Sequence, residues 1–145
     1  LMWNHRNLRE RVDGAVVPAW ARGYLLAQGL AVTLLALSLL LVPDFMVNVW
    51  PWKITRLLAQ IYSAPFLAYG VNSLIVSREQ TWPEVRGAVI GIFVFALGVL
   101  LASFIHRTLF SASNTSTWLW FGGFSLATLF LGAMIVRSVL GGGSK

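Results

Sequence analysis

The sequence predicts an all-α membrane protein: a bundle of four transmembrane helices with both ends on one side of the bilayer and a short N-terminal interfacial helix. Composition points there first. Of 145 residues, 57% are hydrophobic and only 11% charged, and the mean hydropathy of +0.73 excludes an ordinary soluble domain. Uncharged runs point there second. A helix rises about 1.5 Å per residue, so a hydrocarbon layer about 30 Å thick takes roughly 20 apolar residues to cross. Four runs meet that length, and none shows the strict alternation of a porin strand. The third pointer is where the cations fall. Arg6, Arg9, Arg11, Arg22, Arg78, Arg86, Arg137 and Lys145 belong to one face, and only Lys53, Arg56 and Arg107 to the other. Short loops rich in Lys and Arg stay cytoplasmic, which sets both ends inside.

Residues 1–18 form a cytoplasmic or interfacial segment in this reading. Met2, Trp3, Leu8, Val12 and Val16 share roughly one helical face, with Arg6, Arg9, Glu10 and Asp13 elsewhere, the pattern of a helix lying in the headgroup layer. A solvated basic tail that only sets orientation is an equal alternative. The membrane domain occupies 19–140, with spans at about 23–42, 57–77, 87–105 and 118–137, and 141–145 is a flexible tail.

Pro18 suits the first turn of the first span, where a missing N–H costs nothing. The span is retained, since no small-residue cleavage site follows it, and it ends at Pro43 and Asp44. In the second span Pro65 leaves a carbonyl without its usual donor, and Gln60 and Ser63 are placed to compensate. Trp82 and Pro83 form an interfacial turn into the third span. The loop "HRTLFSASNTSTW" separates the third span from the fourth; its Asn114-Thr115-Ser116 matches a glycosylation acceptor, a pattern frequent by chance.

Trp20 and Trp82 fall at the expected inner boundary, and Trp50, Trp52, Trp118 and Trp120 at the outer one. Indole rings favour that depth because the ring is apolar while its N–H needs a partner. An anchoring belt is thus the better reading of "WPWK" at 50–53, and an aromatic ligand site the minority one. Small residues four apart give every span a face for close contact: Gly23, Ala27 and Ala31; Ala64 and Ala68; Gly87 with Gly91; Gly98 with Ala102; and Thr128 with Gly132.

Chemistry inside a bilayer needs groups that can hold charge or a proton. The four span cores contain no Asp, Glu, Lys, Arg or His. That weighs against an enzyme and against a proton-coupled transporter acting alone, and it gives no reason to expect a metal or cofactor. His5 and His106 fall on opposite sides, which makes a bis-histidine haem within one chain improbable; His106 stays a candidate single ligand. Gln28, Gln60 and Asn72 offer both donors and acceptors and are the best candidates for a polar site, although hydrogen bonding between helices is the commoner use of such residues. The net charge of +6 is explained by topology, so nucleic acid is not an expected partner.

At 49–59, "VWPWKITRLLA" resembles a recurring junction of small four-helix bacterial integral membrane proteins of unknown function. In that pattern a proline often follows the threonine; Arg56 stands there in this chain. The resemblance implies a four-helix membrane fold in the bacterial inner membrane and no particular activity. The functional expectation is a non-catalytic accessory or scaffolding subunit, whose partners are the lipid bilayer and other membrane subunits or copies of itself. A small oligomeric transporter or channel is the alternative, and a lipid-, quinone- or pigment-binding module the next.

Overall fold

The computed structural model describes residues 16–141, in which five α-helices account for nearly all regular structure. They are α1 (Ala19–Leu41), α2 (Pro43–Val49), α3 (Arg56–Val76), α4 (Trp82–Ile105) and α5 (Thr115–Gly141), with one 3-10 turn at Arg107–Leu109. Residues 2–15 of the expected interfacial helix and all but the first residue of the expected tail lie outside the described residues; the described end of that stretch is not helical, since Val16 forms an isolated antiparallel bridge with Thr81 and Val17 N donates to the Gln80 carbonyl at 2.9 Å. Three helices, α1, α4 and α5, are long and apolar enough to cross a membrane. α3 is not among them, because Gln60, Tyr62, Ser63, Tyr69, Asn72 and Ser73 dilute its hydropathy.

Local chemistry sets the helix ends. α1 begins directly after Pro18, whose carbonyl accepts from the N–H groups of Ala21 and Arg22 at 3.0 and 3.2 Å. Arg22 therefore sits in the first turn rather than before it, and its Nε donates to the Ser77 carbonyl at 3.2 Å. α2 is an element that the sequence reading took for a break. Pro43 occupies its first turn, where a ring nitrogen costs nothing, and Asp44 complements the N-terminal dipole. α3 starts at a Thr55 cap, whose hydroxyl oxygen accepts from Leu58 N at 3.2 Å. It then runs unbroken through Pro65. The Ser63 hydroxyl donates to the Gln60 carbonyl at 2.6 Å, one residue short of the Ile61 carbonyl that Pro65 leaves without a donor.

α1 and α3 make the most extensive helix pair, and α4 packs chiefly on α5. Two glycines let α1 and α3 approach. A Cβ on Gly29 would lie 2.8 Å from the Leu74 side chain and 2.9 Å from its backbone N; one on Gly70 would lie 2.6 Å from Thr33 N and strike the Thr33 hydroxyl. Beside that contact Gln28 Nε2 donates to Ser73 Oγ at 2.9 Å in a buried bond.

The core divides along the bundle. Toward the Val17 end, Leu25, Val85, Val89 and Leu131 are fully enclosed. Toward the other end, Leu39, Met46, Trp50, Ala59 and Phe66 form a second cluster, with Val32, Phe95 and Phe124 packing against both. The outer surface is apolar as well. On α1, Leu26, Leu30, Leu34, Leu37 and Leu41 are exposed at helical spacing, a stripe that water would disfavour and lipid accepts. Three long apolar helices carrying such surfaces make this an integral membrane protein.

Candidate functional site

α2 carries the chain across one end of the bundle and turns Trp50 inward. The residue is 5% exposed, and its ring meets Trp52 and Trp120 edge to face, at centroid distances of 5.4 and 5.3 Å. Trp52 and Trp120 close the triangle at 5.0 Å and 90°. Edge-to-face contacts set the positive ring edge against the negative face of the next ring, each worth roughly 0.5–1.5 kcal/mol beyond area burial. Phe66 and Phe110 extend the wall, the first against Trp50 and Trp120 and the second against Trp52.

Beside this cluster is a cavity of about 400 Å³, lined by residues of α3, α4 and α5 and by the segments that follow α2 and α4. α4 contributes Phe95, Val99, Ala102 and Ser103 at three- and four-residue spacing, with His106 just past its end; α3 contributes Tyr62, Pro65 and Phe66. Pro65, Ala102, His106 and Leu109 are exposed, so the mouth opens where α3 and α4 face one another.

The polar atoms here are few. Trp120 Nε1 donates to Ser103 Oγ at 2.9 Å, and that hydroxyl donates onward to the Val99 carbonyl at 2.7 Å, which locks the indole and satisfies both groups. His106 Nδ1 lies 3.0 Å from the Ala102 carbonyl. A carbonyl can only accept, so Nδ1 carries a proton and, in the neutral ring, Nε2 keeps a free lone pair. Trp50 Nε1 differs: it is buried with no hydrogen-bond partner among the described residues, an arrangement that costs about 1–3 kcal/mol. The cavity therefore has a largely aromatic wall, and the Trp50 N–H is sealed within that wall rather than presented to the cavity.

The expected sites distribute unevenly. Among the anchors, Trp118 and Trp20 are exposed, Trp52, Trp82 and Trp120 half-buried, and Trp50 enclosed by protein. Trp118 Nε1 donates to the Ala112 carbonyl at 3.0 Å. The amides Gln28, Gln60 and Asn72 do not meet within one chain: Gln28 bonds Ser73, while Gln60 and Asn72 are about 18 Å apart along α3 at helical rise. Of the small residues, Gly23, Ala27, Ala31, Ala64, Ala68, Gly87, Gly91, Gly98 and Ala102 are exposed, and a Cβ on Gly23, Gly87, Gly91 or Gly98 would meet nothing within 4 Å. Gly132 touches Phe93, at 3.4 Å from such a Cβ, and Thr128 bonds its own helix at the Phe124 carbonyl. The sequence reading missed Gly29 and Gly70, which make the tight contact, and Phe66, Phe95 and Phe110, which build the chamber wall. Their spacing with Tyr62, Val99 and Trp120 was legible, but ordinary core aromatics follow the same periodicity.

No protein-family model, no curated protein and no solved structure matches this chain.

Proposed function

We propose that this chain is a four-span membrane protein, with α3 as the fourth span, acting as a non-catalytic accessory or scaffolding subunit that packs against other membrane subunits or copies of itself. α3 supports the span count by the way its residues sort. Leu57, Ile61, Ala64, Ala68, Val71 and Ile75 form one exposed apolar face, while Ser63, Tyr69 and Ser73 are buried. Such a helix is polar toward its neighbours and apolar toward lipid, as a bundled span requires. Among the described residues Arg22, Arg78, Arg86 and Arg137 gather at the Val17 end, and Lys53, Arg56 and Arg107 at the chamber end. That distribution favours cytoplasmic termini and a bacterial inner membrane.

The observation that carries the scaffolding role is the outward placement of Gly23, Gly87, Gly91 and Gly98 with open space above them. Internal packing uses Gly29 and Gly70 instead, which leaves several close-approach faces for neighbours. The buried bond from Gln28 to Ser73 also spends one of the three amides that a pore would need. Single cysteines at Gly91 and Gly98, oxidised in native membranes, are expected to give cross-linked species of defined mass. A protein that stays monomeric with both cysteines uncrosslinked would overturn the scaffolding reading. Cysteines at Thr81 and Ser111 test orientation: only Ser111→Cys should react with an impermeant label on intact cells.

A further inference from the structure

We propose that the cavity at the Val17 end is a binding site for the phosphate head of an anionic phospholipid. The inference uses the membrane placement of α1, α4 and α5 and does not depend on the scaffolding role.

Position supplies the first reason. The cavity, of about 200 Å³, lies where the three helices long and apolar enough to span end together. Its lining takes Trp20 from the start of α1, Trp82 from the start of α4 and Arg137 from the last turns of α5. In a bilayer that level is the headgroup layer of one leaflet, so a lipid head reaches the cavity without leaving its own layer. The enclosed part of the lining is apolar, with Val17, Ala21 and Met134 each at most 3% exposed. A free phosphate ion gains nothing from such a surface, whereas the glycerol and first acyl carbons of a lipid are stabilised by it.

Electrostatics supplies the second reason. Arg137 is exposed and is the only charged side chain in the lining. Among the described residues it has no carboxylate within ion-pair distance; the one pair they hold, Asp44–Arg56, is at the chamber end. Neither Glu79 nor Glu84, the described carboxylates of the Val17 end, lines the cavity, and Glu84 accepts from the Thr81 hydroxyl at 2.6 Å. The other polar side chains of the lining are Trp20, Trp82 and Ser138. Indole and guanidinium N–H groups can only donate, and Ser138 spends its proton on the Ile135 carbonyl at 2.6 Å. A cation among donors, with no acidic acceptor, matches a phosphodiester, whose charged oxygens only accept and which a guanidinium can meet with two parallel hydrogen bonds. The choline of a zwitterionic head would set a second cation beside Arg137, which Coulomb repulsion disfavours. The helix ends do not oppose an anion: the N-termini of α1 and α4, neither closed by a side-chain cap, offset the C-terminus of α5.

The test uses the full chain in dodecyl maltoside micelles doped with phosphatidylglycerol or, at the same mole fraction, phosphatidylcholine, with the melting midpoint followed by circular dichroism. Phosphatidylglycerol should raise the midpoint with saturation and phosphatidylcholine should not, since a ligand bound to the folded state alone stabilises it. Arg137→Gln removes one interfacial cation and should raise the half-effective phosphatidylglycerol fraction roughly 5-fold, while Arg107→Gln at the opposite end should match the wild type. Raising sodium chloride from about 0.05 to 0.5 M should weaken the wild-type response, which keeps the test decisive if Arg137→Gln does not fold. No rise in the wild type, an equal rise with phosphatidylcholine, a wild-type response from Arg137→Gln, or a rise indifferent to salt would each overturn the proposal. So would an equal rise with glycerol 3-phosphate, which would assign the cavity to a soluble phosphate. A rise that appears only after Glu10→Gln and Asp13→Asn would overturn it too, by giving Arg137 to the chain's own N-terminal carboxylates. Cross-linking at Gly91 and Gly98 is read separately, so failure of the scaffolding role is distinguishable from failure of the lipid site.

Discussion

Replacing Gly70 by Ala tests the central contact of the bundle. The added methyl would lie 2.6 Å from Thr33 N and 3.0 Å from Thr33 Cα, where ordinary contact begins at 3.4 Å. Backbone cannot rotate aside, so α1 and α3 must part by roughly 1 Å, a gap that forfeits a quarter to a half of each dispersion well across it. Overpacking of this kind costs about 1–3 kcal/mol. The Gln28–Ser73 bond, 2.9 Å long and less than two turns away, would stretch with it, and such interhelical bonds in membranes average about 0.6 kcal/mol. The sum is a loss of ~2–4 kcal/mol. Unfolding by titration with sodium dodecyl sulfate, followed through tryptophan emission, would measure it. Gly91→Ala is the internal control, since its methyl meets nothing within 4 Å and the change should leave stability level or raise it by up to ~1 kcal/mol. If Gly70→Ala unfolded at the same detergent fraction as Gly91→Ala, the close α1–α3 approach would be wrong.

Removing the Thr55 cap by Thr55→Ala should cost ~1 kcal/mol in the same titration, because Leu58 N loses its acceptor at the start of α3. Ser103→Ala should cost ~1–3 kcal/mol by stranding the Trp120 N–H, and the tryptophan emission maximum should shift as the wall loosens. Asp44→Ala should change stability by less than ~1 kcal/mol, and by less still as salt is raised, because the Asp44–Arg56 pair at 3.6 Å is largely exposed and screened. Gly98→Ala should leave the isolated chain as stable as wild type while weakening cross-linking to neighbours in native membranes, with denaturing gels as the readout.

Three of the long helices were legible because hydropathy and length alone decide them, and the observed α1, α4 and α5 contain the expected spans almost entirely. The ends drifted outward by up to five residues. Residues such as Arg22 and Trp82 look like loop to a reading that tracks charge and turns, yet they fit a first helical turn whose free N–H groups lie at the surface. α2 escaped because Pro43 serves equally as a stop and as a first-turn residue, and nothing local to "LVPDF" separates the two roles. Small-residue spacing found faces but could not say which face turns inward. Gly29 and Gly70 make the internal contact through backbone geometry that pairs one helix with another, and spacing along a single helix carries no information about that pairing. Trp50 was legible as a residue near the bundle end; its burial depends on α2 and so was not.

That dependence ties the chamber to the connection after α1. Ordinary loops between spans run outside the bundle, and an indole there meets headgroups. Here α2 instead packs on α3 and buries Met46, so that Trp50 and Ile54 join the same core cluster as Ala59 and Phe66. A residue suited to an interface thereby becomes a wall with an unsatisfied donor. Burying a ring next to other rings gains enough dispersion and quadrupole attraction to offset one orphaned N–H, so folding tolerates the defect without requiring an occupant.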